Sequence, residues 1–172
     1  MKIIFEAKLI QIGSRRIIVV PMDSSEKLPS RGMVMVQASI KGDSFVAPLE
    51  PDGRGSHWFE VSNKLREELR LNLDDKLEVA IEPIKDWPEP EIPRDILDGI
   101  NHANLMDKWD SITPKARWDW LRWIRATANP QTRNKRIGIA CSKLQKGDKH
   151  PCCFDRTRCT ITDVSKSGVL LD

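Results

Sequence analysis

The chain has 172 residues, 40% of them hydrophobic and 31% charged, with a net charge of +3. That is enough for one large domain or two small ones, and no apolar run reaches the roughly 20 residues that a membrane-spanning helix needs. In the first stretch, "MKIIFEAKLIQIG", Glu6, Lys8 and Gln11 interrupt the apolar residues and no small-residue cleavage site follows, so no export signal, a cytoplasmic location and reduced cysteines are expected.

The first 85 residues read as β-rich. "IIFEAKLIQI" and "RRIIVVP" flank Gly13-Ser14, a two-residue hairpin signal. "MDSSEKLPSRG" is a polar loop with room for one helical turn. "MVMVQASI" and "SFVAPLE" flank a second turn at Lys41-Gly42-Asp43, and "PDGRG" makes a third. "SHWFEVS" is a short strand, "NKLREELRL" a short helix with Leu65, Leu69 and Leu71 on one side, and "DKLEVAIEP" a last strand with Leu77, Val79 and Ile81 alternating. Six short strands and one helix over residues 1–85 point to a small closed barrel, which removes exposed strand edges.

"KDWPEPEIPRD" marks a boundary, because Pro88, Pro90 and Pro93 favour an extended path; residues 86–93 are the expected linker. Beyond it the period becomes helical, over residues 94–147. Ile96, Leu97, Ile100 and Leu105 form the buried side of one or two short helices. Thr113-Pro114 and Asn129-Pro130 are each a cap followed by a proline at the first helical position, so "PKARWDWLRWIRATA" and "PQTRNKRIGIACSKLQKG" read as a helical hairpin ending near Gly147. The fold class is therefore α+β, a barrel followed by a helical domain. A cysteine-containing tail occupies residues 148–172. Charge is uneven: residues 86–112 carry two basic and seven acidic side chains, and residues 113–160 carry twelve basic and three acidic.

In the first helix of the hairpin, Trp120, Leu121, Ile124 and Ala128 share one stripe, Trp118 and Trp123 flank it, and Asp119 and Arg122 face away. In the second, Ile137, Ala140, Cys141 and Leu144 lie together, with Lys135, Arg136, Lys143 and Lys146 opposite. Arg133 falls on the apolar side and needs a partner; Asp107, Asp110 and Asp119 are the nearest acids. Thr132, Arg133 and Arg136 at the helix start, with Lys135 and Lys143 adding field, make a candidate anion site, whose partner would be a nucleic acid or an acidic protein. The bland reading is that Arg133 ties the hairpin to the acidic connector.

"PCCFDRTRC" concentrates three of the four cysteines. His150, Cys152, Cys153 and Cys159 are the only candidate zinc ligands, but the spacing is not that of paired knuckles and neighbouring cysteines diverge. The commoner role is packing by small apolar thiols beside Phe154. Glycine-rich phosphate loops, nucleophile elbows and H-E-x-x-H motifs are absent, so no catalytic residue is assigned. His57, after the third turn, is expected at a barrel rim as a structural histidine. A second reading, an enzyme with a pocket between barrel and helices, would use His57, Arg133 and a C-terminal cysteine.

The succession of "LEPDGRGSHWFEVSNKLREELRLNLDDKLEVAIE", "IPRDI" and "WLRWIRATANPQTRNKRI" resembles the bacterial YdeI/OmpD-associated, or bacteriocin-protection, proteins that carry an N-terminal barrel domain of unknown function. The resemblance covers almost the whole chain, with Thr132-Arg133 and Arg136-Ile137 as its most specific element. It implies a barrel of the swapped-hairpin or double-psi kind before a helical domain, and hints at resistance to cationic peptides. It supplies no catalytic residues. Asp74-Asp75 departs from the Gly-Asp found at that turn in relatives.

Overall fold

The structure, a computed structural model, describes residues 1–167 and 170. The chain forms two compact units. The first is Met1–Lys85 with Arg156–Cys159 and the segment from Asp163; the second is Asp86–Asp155 with Thr160–Thr162.

In the first unit, β1 (Ile3–Ile12) and β2 (Arg15–Val20) are joined at Gly13, whose φ of +59° suits a residue without a Cβ. A helical turn, α1 (Met22–Ser25), precedes β3 (Val34–Ile40), β4 (Asp43–Pro51) and β5 (His57–Glu60). Then come α2 (Asn63–Glu68) and β6 (Lys76–Pro83). Six antiparallel pairings, β1 to β2, β2 to β5, β5 to β4, β4 to β3, β3 to β6 and β6 to β1, close a barrel. This is the barrel of about six strands that the sequence predicts.

Alternation decides which side chains go in. Leu77, Val79 and Ile81 of β6, Val34, Val36, Ala38 and Ile40 of β3, and Ile18 and Val20 of β2 all belong to the interior cluster. The valines, leucine and isoleucines among them are each worth about 1.5–3 kcal/mol on burial. Leu69 and Leu71 join the same cluster, and α2 starts where Ser62 Oγ accepts a hydrogen bond from Leu65 N at 3.1 Å. The tail segment Arg156–Cys159 runs close against the loop before β3: a Cβ added to Gly32 would lie 3.0 Å from Arg156 O.

In the second unit, α3 (Arg94–His102), α4 (Met106–Ser111), α5 (Pro114–Arg125) and α6 (Pro130–Gln145) surround one apolar cluster. Both cap-plus-proline signals work as read. Thr113 Oγ1 accepts from Ala116 N at 3.1 Å, and Asn129 Oδ1 accepts from Gln131 N at 2.9 Å. At the far end of α6, Gly147 takes φ +94°, and Asp148 N returns to Lys143 O at 3.0 Å. Gly99 inside α3 has a packing reason: a Cβ there would sit 2.6 Å from Ile137 Cγ2 of α6.

The Pro-rich stretch is seated on α5. Trp118 Nε1 donates to Pro88 O at 2.9 Å, and the Lys115 ammonium lies 5.4 Å from the Trp87 ring. Three expectations for α5 need correction. Ala128 lies beyond the helix and is exposed, so the stripe ends at Ile124. Asp119 and Arg122 do not face solvent; they are 4% and 1% exposed. Arg117 is buried as well, at 5%. The reason is covering by segments that a helical projection omits. Arg122 lies 5.3 Å from the centre of the Phe154 ring, and Arg117 reaches the end of α4, donating to Trp109 O, Asp110 O and Ile112 O at 3.0, 3.2 and 2.5 Å and to Glu89. These carbonyls belong to a helix end whose acceptors have no partner within the helix.

Candidate functional site

The residues proposed for an anion site lie along α6, and most of their charge is engaged. Arg133 Nε donates to Asp95 Oδ2 at 2.6 Å and Nη2 to Asp95 Oδ1 at 3.0 Å, a two-pronged pair. The expected partners Asp107, Asp110 and Asp119 are not used; the partner is an acid of the same acidic connector, one residue into α3. The pair lowers the Asp95 carboxyl below its ordinary value, chiefly through the Arg133 hydrogen bond. Arg136 Nη1 donates to Trp123 O at 2.8 Å, and its guanidinium lies 5.4 Å from the Trp123 ring. Lys143 stands 3.9 Å from Asp148. Thr132 is half-buried and offers its N–H to Asn129 Oδ1 at 3.4 Å; Lys135 is exposed.

His57 stands at an end of the barrel: it opens β5, opposite Val20 and Pro51, the last residues of β2 and β4. It is fully buried, with Nδ1 2.7 Å from Ser25 Oγ and Nε2 2.7 Å from Gly32 O. The carbonyl can only accept, so Nε2 carries the proton and the serine hydroxyl donates to Nδ1. Arg31 completes the knot, donating to Gly55 O at 2.8 Å and to Ser25 O at 2.6 Å. Burial pushes the imidazole below its ordinary value. Both ring nitrogens are committed, which suits a structural histidine.

Among the described residues, no group of three or more His, Cys, Asp or Glu side chains gathers as metal ligands do. His150 Nδ1 lies 4.0 Å from Asp119 Oδ2, Cys159 is buried, and Cys152 and Cys153 are exposed. The expectation that these two adjacent side chains diverge is wrong: their Sγ atoms are 3.1 Å apart.

A further feature lies on the barrel wall. Ile84 N donates to Met35 O at 3.0 Å, so the Met35 backbone faces β6. Met35 is opposite Pro48 in the antiparallel register, hence Pro48, Val46 and Ser44 direct their backbone groups away from β3. On that side β4 meets β5 only at Glu50 opposite Trp58 and Pro51 opposite His57. Among the described residues, the Ser44 and Val46 amides and carbonyls therefore have no strand partner. The split opens into a groove of about 530 Å³ bounded by Phe45, Val46, Leu65, Asp43, Glu60 and Glu68. Three carboxylates line it against one ammonium, Lys64, which is 4.0 Å from Glu68; Glu60 also meets Arg15 at 2.8 Å. The sequence carried one sign of it: Pro48 within "SFVAPLE", a residue confined to strand edges.

Residues 89–147 match the family described as "Bacteriocin-protection, YdeI or OmpD-Associated", and residues 5–81 match a domain of unknown function, DUF1905. The chain thus joins a barrel that matches DUF1905 to a helical unit that matches the YdeI/OmpD-associated family, each match covering less than half of it. A search of curated proteins finds no match. The family's resemblance in this chain rested on "IPRDI" and on "TRNKRI", and the Arg133–Asp95 pair joins those two stretches. In this YdeI-like unit the motif thus works first as a clasp between α3 and α6. In the DUF1905 barrel, Asp74 takes φ +67°, a left-handed conformation that glycine adopts most readily.

Proposed function

We propose that the protein is a non-enzymatic binding protein whose barrel groove captures an extended, positively charged peptide. The observation that carries this is the stretch Ser44–Pro48 of β4, with backbone donors and acceptors facing an open groove. An extended chain laid there adds a strand, its amides answering Val46 and Ser44. Its alternate side chains meet Phe45, Val46 and Leu65, and its cations meet Asp43, Glu60 and Glu68. Complementary charge of this kind speeds encounter and suppresses acidic competitors. The family that residues 89–147 match is described as bacteriocin-protection, and a barrel that captures peptides would serve such a role.

The cationic side of α6 is the competing location, with nucleic acid or an acidic protein as its ligand. For Arg133 to hold such an anion it must leave Asp95, and for Arg136 it must leave Trp123 O. Of the five candidate residues only Lys135 is exposed, the other four being half-buried, so the barrel groove is the better-supported site.

The test is calorimetry with a synthetic peptide of alternating arginine and valine. Binding is expected with the unmodified peptide and lost when alternate backbone amides are N-methylated. Replacing Asp43→Lys and Glu68→Lys together should weaken it at least about tenfold, or roughly 1.4 kcal/mol. Equal binding of the N-methylated peptide, or an unchanged affinity in the double variant, sinks the proposal. Binding of single-stranded DNA with a steep salt dependence, by contrast, would return the site to α6.

A further inference from the structure

Cys152 and Cys153 are neighbours in sequence, and in extended backbone neighbouring side chains point to opposite sides. Here they do not. Cys153 takes φ +58°, a conformation L residues rarely adopt, and this turn brings the two Sγ atoms to 3.1 Å. The turn is held from both sides. Pro151 and Phe154 are buried, and the Arg122 guanidinium covers the Phe154 ring at 5.3 Å. Between these anchors both thiols are exposed and reduced. A pair displayed at a solvent-facing tip, in a conformation that opposes the usual divergence, is not packing.

We propose that Cys152 and Cys153 form a reversible two-electron oxidation site, in which a small-molecule disulfide converts the adjacent thiols to a ring disulfide. One cysteine, as its thiolate, attacks a sulfur of the reagent. A mixed disulfide forms, the reagent's S–S bond breaks, and the first small thiol leaves with the proton. The second cysteine then attacks the protein sulfur of the mixed disulfide. The ring closes, and the second small thiol leaves with the second proton. Two electrons pass from the cysteine pair to the reagent, so the balance needs no other oxidant. Consecutive Cα atoms are about 3.8 Å apart, below the roughly 4.4–6.8 Å of ordinary disulfides, so the ring is strained and easily reduced. Easy reduction is what a reversible site requires. The Cys152 thiol also holds the Cys153 thiol above its ordinary value, which disfavours first attack by Cys153.

The test uses the full chain, reduced and then equilibrated with mixtures of oxidised and reduced glutathione, trapped with an alkylating agent and digested with trypsin. Cleavage after Lys149 and Arg156 releases one peptide, His150 to Arg156, that holds both cysteines and neither Cys141 nor Cys159. In the folded protein this peptide should lose two hydrogen masses and escape alkylation. Cys152→Ser and Cys153→Ser should each stop at a single glutathione adduct. In the guanidinium-unfolded chain, closure should need a glutathione mixture about tenfold more oxidising. Two independent adducts on one peptide, a bond to Cys159 or Cys141, or identical behaviour folded and unfolded would each overturn the assignment.

Discussion

Among the charged side chains on the six barrel strands, only Glu50 is buried, whereas a single helix of the second unit, α5, buries Arg117, Asp119 and Arg122. The difference follows from geometry. A strand presents two faces and the barrel has one inside, so period-two alternation sends the charges out. A helix in a small bundle meets partners around much of its circumference, and an arginine can be enclosed wherever carbonyls or a carboxylate wait for it. The barrel core is thus an apolar filling, while the helical core is tied by buried polar bonds.

Removing one such tie should produce the largest effect. Arg117→Met leaves Trp109 O, Asp110 O and Ile112 O without their donor and Glu89 without its cation. A loss of about 1–3 kcal/mol is expected, as for buried carbonyls left without a donor, because Glu89, two-thirds exposed, returns to water. Amide hydrogen exchange would place the loss in α4 and α5 and leave β1 to β6 protected. A change below about 1 kcal/mol would mean that the arginine acts as an exposed charge does, and the contrast between the units would fail.

The same contrast explains what could be read from sequence. Leu77, Val79 and Ile81, and the turns at Gly13 and Gly42, announced the barrel because each local signal agreed with the global fold. The caps at Thr113 and Asn129 were equally plain, because capping is decided within four residues. Asp119 and Arg122 were misplaced because the residues that approach them, His150 and Phe154, lie far along the chain. Asp95 was missed as the partner of Arg133 because candidates were ranked by nearness in sequence, while α3 packs against α6 directly, as Gly99 at Ile137 attests. The groove beside β4 was nearly invisible: it depends on which strand stops pairing, and only Pro48 hinted at it.

His57 is the barrel's own buried polar tie, and pH probes it. Its folded-state value lies below the ordinary imidazole value of 6.5, first because of burial and then because of Arg31, against the raising effects of Gly32 O, Asp52 and Glu50. Above about pH 6.5 the ring is neutral in folded and unfolded chains alike, and its contribution is complete. As pH falls through that value the unfolded chain takes up a proton that the folded barrel resists, so stability is lost until the folded-state value is passed. Urea melts between pH 7.5 and 5 should show this decline, and the His57 ring resonances should titrate below a free imidazole. A ring that titrates above the free value would show that the knot with Ser25 and Gly32 is open to protons.

The smallest effect is expected at a left-handed turn residue of the barrel. Asp74 sits at φ +67°, with its N–H donating to Leu9 O at 2.8 Å, while Asn72 N donates to Asp75 Oδ2 at 2.8 Å. Asp74→Gly keeps both bonds and removes the Cβ from a left-handed position, a gain of about 1 kcal/mol. The added freedom of glycine in the unfolded chain offsets about 0.4–1 kcal/mol of it. The denaturation midpoint should therefore rise by a few tenths of a kcal/mol in free-energy terms at most, with an unchanged urea slope, whereas Asp74→Val should lower it, because a β-branched side chain suits that backbone worst. If glycine instead costs more than about 1 kcal/mol, the Asp74 side chain holds the turn itself, and the barrel owes more to a polar contact than the comparison with α5 allows.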